Sequence, residues 1–333
     1  MNPDCQDITA LMEGLAAHQI HATNSARMLL DALQTYRMQF QNESAYKRAA
    51  LKELRRMAIS LPPYAPLINT MNRVLTALLS DRPLDTLFSE QLTQSTEAEQ
   101  MMQQIASRLL AGKTLIATYT FSQTLSACLL SCHENGGRFA VTLTESRPNC
   151  DGVYTARMLR GAGIPCMVGL DADMGQLLGG ADIALFGCEA VLPCGNVIGK
   201  VGQSAAARIC AGRGIPVYIY AGLWKLLPPK LAGCEALISD AAYANDAADL
   251  TVRLYDVTCG NDITGIITEH GIVSPQAAGM FADQNVENEM QQMIERAVFT
   301  AHSSQNFEVA HGCKRNRAFA AREEGVRPGH NFL

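Results

Sequence analysis

TLIATYTFSQTLSACLLSCHENGGRFAVTLTE, residues 114–145, begins and ends in apolar runs of strand length, 114–120 and 138–145, with apolar residues at helical spacing between them. A helix-length segment joining two such runs is the pattern of a strand, a crossover helix and a parallel neighbouring strand. The pattern continues downstream. PCMVGL (165–170), ADIALFG (181–187) and PVYIYAG (216–222) are further strand-length runs, and GVYTARMLRGAGI (152–164) has helical spacing and closes on glycines suited to a C-cap. VRLYDVT (252–258) reads as one more strand and NEMQQMIERAVFTAH (288–302) as one more helix. Right-handed crossovers then give a mostly parallel α/β sheet. Such sheets place ligands at the carboxyl ends of their strands. The loops that matter are therefore YTFSQ (119–123), ESRPN (145–149), DADMG (171–175), GCEAV (187–191) and GLWKL (222–226).

Upstream, apolar residues recur at intervals of three and four (Leu11, Leu15; Met28, Leu29, Leu33; Leu51, Leu54, Met57), so residues 1–100 read as a helical N-terminal domain. LPPYAP (61–66) interrupts the helices, because proline lacks a donor and clashes with the preceding turn. SDRPLDTLFSEQLTQSTEAEQ (80–100) is the best linker candidate, which puts the α/β, ligand-binding domain at 101–303 and a polar tail at 304–333.

The 333 residues, 48% hydrophobic and 18% charged, suit a compact globular protein. A net charge of −5 offers no broad cationic surface for a nucleic-acid backbone, so direct nucleic-acid binding is not expected. No uninterrupted apolar stretch of membrane-spanning length and no leader-like start is present, which predicts a cytoplasmic protein with no membrane partner. The 11 cysteines lie mostly in apolar segments and predict reduced, packed thiols. Cys128 and Cys132 share a helix face but lack the further ligands of a zinc site, so no metal and no cofactor is expected.

TESRP (144–148), GIPC (163–166), DADM (171–174), FGCEAVLPCGNVIGKVG (186–202), GIPVYIYAGLWK (214–225) and DVTCGNDITGIITEHGIVSP (256–275) follow one another in a recognisable order. Together they resemble the blocks of the translation initiation factor 2B α/β/δ family, over roughly residues 20–275. That superfamily also contains methylthioribose-1-phosphate isomerase and ribose-1,5-bisphosphate isomerase. The resemblance implies a Rossmann-like C-terminal domain and dimerisation through it, sometimes extended to hexamers. It also implies, in the isomerase branch, a catalytic cysteine after the first strand and an aspartate in a Gly-Ala-Asp block.

Here Thr120 stands at the cysteine's place and Glu189 at the aspartate's. A threonine hydroxyl needs an adjacent base to replace a thiolate, and the longer Glu189 displaces its carboxylate by about 1 Å, enough to change a rate on the order of a hundredfold. Arg147 and Lys200 match the family's phosphate-side arginine and lysine, with Gly199 and Gly202 allowing close backbone approach ahead of a helix starting near Gln203. Lys225 is a third cation, from a neighbouring loop. HATNSARM (21–28) corresponds to the family's Arg-Gly-Ala stretch, with Arg27 a turn later than that arginine.

Bland readings stand beside these. Glu145, Asp171 and Ser122, from the same strand-end loops, are expected substrate-binding residues too, yet Glu145 and Arg147 also suit a surface ion pair, Asp171 a helix cap, Thr120 and Ser122 the cap of the next helix, and Trp224 the core. Two functions follow from the resemblance. One is binding of a phosphorylated sugar or nucleoside monophosphate, with aldose–ketose isomerisation by altered catalytic residues. The other is a non-catalytic regulatory subunit that acts through protein contacts. Either is expected to be a homodimer or a larger homo-oligomer.

Overall fold

The computed structural model describes residues 8–16, 20–59, 61–80, 84–231, 233–238, 240–244 and 249–300, so the polar tail lies outside the described residues. Four helices come first: α1 (Ile8–Ala16), α2 (Ala22–Arg37), α3 (Glu43–Ala58) and α4 (Ala65–Leu79). The Asn42 side chain starts α3 by accepting from Ser44 N and Ala45 N, and Pro66 sits in the first turn of α4, where its missing N–H costs nothing. α4 is the spine that joins the layers. Asn69 Nδ2 donates to Trp224 O (3.0 Å) and Leu226 O (2.9 Å), while Asn72 bonds Asn285 O and Glu287 N. A helix over 288–300 returns to this layer, burying Met290, Met293 and Ile294 with Leu29, Leu33 and Leu75.

α5 (Leu84–Leu110) runs through most of the segment read as a linker, and residue 100 falls inside that helix. Its last turns bury Met102, Ala106 and Leu110 against the sheet. There follow β1 (Leu115–Ala117), α6 (Gln123–Glu134), β2 (Ala140–Thr144), α7 (Asp151–Gly161), β3 (Cys166–Gly169), α8 (Met174–Leu178) and β4 (Ile183–Phe186). Next come β5 (Ala190–Val191), β6 (Val197–Lys200), α9 (Gln203–Gly212), β7 (Val217–Tyr220), β8 (Asp240–Ala244), β9 (Asp249–Arg253), β10 (Tyr255–Thr258), β11 (Gly265–Thr268), β12 (Gly271–Val273) and α10 (Ala278–Phe281).

The main sheet has the order β12-β11-β7-β4-β1-β2-β3, parallel except for the β11–β12 hairpin. Counting parallel strands in chain order gives 3-2-1-4-5-6, the doubly wound order whose direction of progression reverses between β1 and β4. Alternation along the strands serves two cores. Ile116, Val141, Ile183 and Ile267 pack with α5, α6 and α7, while Ala117, Ala184, Ile219 and Ile266 pack with α8 and α9. VRLYDVT, read as one strand, is divided: Val252 and Arg253 end β9, and Tyr255–Thr258 form β10, which pairs antiparallel with β6 in a small sheet outside the main one. Among the described residues no helix is long and apolar enough to cross a membrane.

Candidate functional site

The reversal between β1 and β4 leaves a gap at the strand ends, and the loops after both strands line it. Thr118 Oγ1 donates to Leu185 O (2.8 Å), which locks the two strands together where they end. Thr120, Phe121 and Ser122 then enter a cleft of about 380 Å³, shared with Cys188 and Glu189 from the loop after β4. Ser122 caps α6, accepting from Leu125 N (3.4 Å), so the positive end of a 12-residue helix faces the cleft. The start of α2 supplies a second helix end through His21, Ala22 and Thr23, with no side-chain cap at His21. His21 packs edge-on to Phe121 (5.0 Å), and Phe121 edge-on to Tyr154 (4.9 Å).

Two lysines complete the walls. Lys200 ends β6 with 11% of its side chain exposed, its Nζ 4.0 Å from Asp151 Oδ2 and 4.9 Å from the centre of the Tyr255 ring. It is therefore a held cation rather than a solvated loop lysine. Lys225 is buried and donates from Nζ to Cys188 O (2.8 Å). Glu189 is fixed through its backbone, N to Ile198 O (2.9 Å) and O from Ala65 N (3.1 Å), so α4 buttresses it from behind. Behind Lys200 the Tyr64 and Tyr255 hydroxyls lie 2.6 Å apart. Burial, with added charge from Glu189, pushes both phenols upward and keeps them protonated. Burial likewise pushes the Cys188 thiol up to about 12, which keeps it out of thiolate chemistry.

The expected site residues divide into those on the cleft and those beside it. Thr120, Ser122, Glu189, Gly199, Lys200 and Lys225 line it together. The Gln203 carboxamide lies over Gly199, where any Cβ would come within 2.5 Å of it; the Gln203 nitrogen is buried with no partner among the described residues. Gly202 serves the backbone instead: it starts α9 at φ +97°, and a Cβ there would stand 2.1 Å from Tyr119 Oη.

The α9 N-terminus, expected to await an anion, already holds one. Asp256 of β10 accepts from Gly202 N (2.8 Å), Ser204 N and Ser204 Oγ (2.7 Å), while desolvation raises its carboxyl above the usual range. Arg147 is exposed and lines an adjoining hollow of about 180 Å³ with Ser146 and Asp151, where Lys200 is the shared wall. Asp171 caps no helix. Its carboxylate accepts from Thr144 Oγ1, Ser146 N (2.9 Å) and Arg147 N (2.7 Å) and so clamps the loop after β2. Glu145 acts there through its backbone, bonding Gly169 O and Gly152 N. Arg27 is exposed, and Trp224 packs with the core on the α6 side of the sheet.

His21, Thr23, Asp151 and Gln203 line the two hollows but were not named as site residues from the sequence. His21 and Thr23 lay inside the recognised stretch HATNSARM, Gln203 was read only as a helix start, and Asp151 opens a helix shortly after the TESRP block.

The sequence model described as the initiation factor 2 subunit family matches residues 15–275. A Pyrococcus horikoshii protein named translation initiation factor eIF-2B subunit 2-like is 30% identical over 226 residues, covering 68% of this chain and 82% of the relative. Ribose 1,5-bisphosphate isomerase of Haloterrigena turkmenica is 29% identical over 276 residues, 74% of this chain and 82% of the relative. The solved structure of translation initiation factor eIF-2B from Pyrococcus horikoshii superposes with a TM-score of 0.71 at 27% identity, covering 80% of this chain and 97% of that one. The fold also matches 5-methylthioribose 1-phosphate isomerase from the same organism, with a TM-score of 0.62 at 18% identity over 87% of this chain and 88% of that one.

Proposed function

The chain belongs to the initiation factor 2 subunit family, and on that premise we propose that it binds a sugar phosphate in the cleft between β1 and β4 and interconverts its aldose and ketose forms. One observation carries the reading: Lys200, Lys225 and Glu189, from three separate parts of the chain, wall a single cleft into which α6 begins. Fixed cations and helix N-termini suit the phosphate, and a carboxylate across from them suits proton transfer at the neighbouring carbon. Glu189 takes the C2 proton and returns it to C1, while Thr120 hydrogen-bonds the sugar oxygens. The relatives named ribose 1,5-bisphosphate isomerase support the substrate class. Exposed Ile272 on the edge strand β12, and Met280 and Phe281 on α10, support work as a homodimer or larger homo-oligomer.

Thermal unfolding with ribose 5-phosphate, ribose 1,5-bisphosphate, methylthioribose 1-phosphate, AMP and GMP tests binding, and NMR of the sugar carbons tests conversion. We expect a raised Tm with at least one sugar phosphate and appearance of the ketose. Glu189→Gln should keep the Tm shift and lower turnover by about a hundredfold or more. Turnover unchanged in that variant removes Glu189 from the mechanism. A second reading, a non-catalytic regulatory subunit, is supported by the resemblance of TYTFS (118–122) to the isomerases' cysteine stretch, which puts Thr120 in the cysteine's place. Silence toward all five ligands selects it.

A further inference from the structure

Thr120 has the companion that a hydroxyl needs to do a thiol's work. Its Oγ1 donates to Asp151 Oδ2 at 3.5 Å, and the same carboxylate oxygen lies 4.0 Å from Lys200 Nζ. Resting on the isomerase reading above, we infer that Asp151 is a positioning residue for catalysis, orienting the Thr120 hydroxyl and holding the proton that passes through it.

The surrounding backbone is organised around this contact. Thr120 adopts φ +57°, a left-handed conformation that a β-branched side chain disfavours, at a cost of about 1–3 kcal/mol. Ser146 (φ +59°) and Cys150 (φ +58°), in the loop that leads into α7, share that conformation. The turn is held on both sides: Thr155 Oγ1 lies 3.0 Å from Thr120 O and 3.1 Å from Asp151 O. Gly152 lets α7 press onto β2, since a Cβ there would stand 1.9 Å from Thr144 O. This packing sets Asp151 against the loop after β1. The Asp151 side chain keeps 19% exposure, so its carboxylate is held without being sealed away.

The proton accounting shows why such a pair is needed. When a ring-closed aldose phosphate becomes the ketose, the C2–H hydrogen moves to C1 and the bond from C1 to the ring oxygen breaks. The hydroxyl at C2 loses its proton as C2 becomes a carbonyl, and the ring oxygen gains one. C2 is oxidised and C1 reduced by the same electron pair, so no outside oxidant enters. Glu189 carries the carbon-bound hydrogen as a proton. Thr120 takes the O2 proton while passing its own to Asp151, and the reverse transfer supplies the ring oxygen. Lys200 Nζ, 4.0 Å from the same carboxylate oxygen, holds Asp151 in place, and its charge also faces the phosphate.

The test uses the full chain and whichever ribose phosphate the parent converts. Asp151→Asn should lower kcat by about a hundredfold or more while KM moves less than about threefold and the Tm shift with that sugar phosphate persists. Asp151→Glu should recover at least about tenfold of the loss. Thr120→Val, which leaves Asp151 in place, should show a matching fall, and the double variant should be no slower than either single one, because the two act as a unit. Unchanged kcat in Asp151→Asn, additive losses in the double variant, or a Tm shift lost in step with kcat each overturn the inference, the last by pointing to simple charge pairing with Lys200. A parent that binds sugar phosphate without converting it also overturns the inference. A parent that binds none refutes the proposed function instead.

Discussion

Replacing Lys200 by methionine removes one positive charge from the cleft while keeping the apolar stem that packs beside Tyr255. A hydrogen bond from an ammonium to a phosphate oxygen is worth about 1.5–3 kcal/mol. Its loss should weaken ribose 5-phosphate binding by about 10- to 150-fold. A second effect has the same sign, because Asp151, deprived of the cation 4.0 Å away, turns an unopposed negative charge toward the anion. The cost to the fold is smaller. The cation lies 4.9 Å from the Tyr255 ring centre, a contact worth about 0.5–2 kcal/mol. The partly exposed pair with Asp151 adds at most about 1 kcal/mol. The variant should therefore remain folded, with its far-UV circular dichroism unchanged. Isothermal titration calorimetry at fixed ionic strength reads the affinity, and Lys230→Met, the same charge change at an exposed position outside the cleft, is the control. A dissociation constant within twofold of the parent's in folded Lys200→Met would refute the assignment of the phosphate to this cleft.

Two further outcomes test the frame that holds the site. Gly202→Ala forces a left-handed alanine and drives its Cβ to 2.1 Å from Tyr119 Oη, displacing the hydroxyl from Val201 O; thermal or urea unfolding should show a loss of about 2–4 kcal/mol, and full stability would mean that the turn relaxes freely. Asp182 accepts from Thr114 N (2.7 Å), Thr114 Oγ1 (2.9 Å) and Leu115 N (3.0 Å), and these bonds, led by the one from the Thr114 backbone, hold its carboxyl below the usual range. A carboxyl lowered in the folded state stabilises above its unfolded value and loses that contribution as pH falls through the folded one. Asp182→Ala should therefore lower Tm by a few degrees near pH 7, and the gap should close on acidification below about pH 4. A gap that widens in acid would contradict the assignment.

The sequence alone determined the layered α/β architecture, because burial of one face leaves a local trace: near-continuous apolar runs at β1, β2, β4 and β7, and helical spacing in α6 and α7. It also pointed to the strand-end loops and to the side chains they offer, among them Thr120, Glu189, Lys200 and Lys225, which line one cleft in the fold. The tertiary structure alone decided which of those loops meet. Thr120 and Asp151 are 31 positions apart, and Gly202 and Asp256 are 54 apart. The second pairing fills the helix end that the sequence offered to an anion, while the first gives a threonine a carboxylate. Strand order and register bring such residues together, and these follow from the packing of the whole sheet rather than from any local stretch, so no periodicity in the chain encodes them. α5 follows the same logic from the other direction: a polar segment that looked like a linker becomes helix where its last turns bury Met102, Ala106 and Leu110 against the sheet.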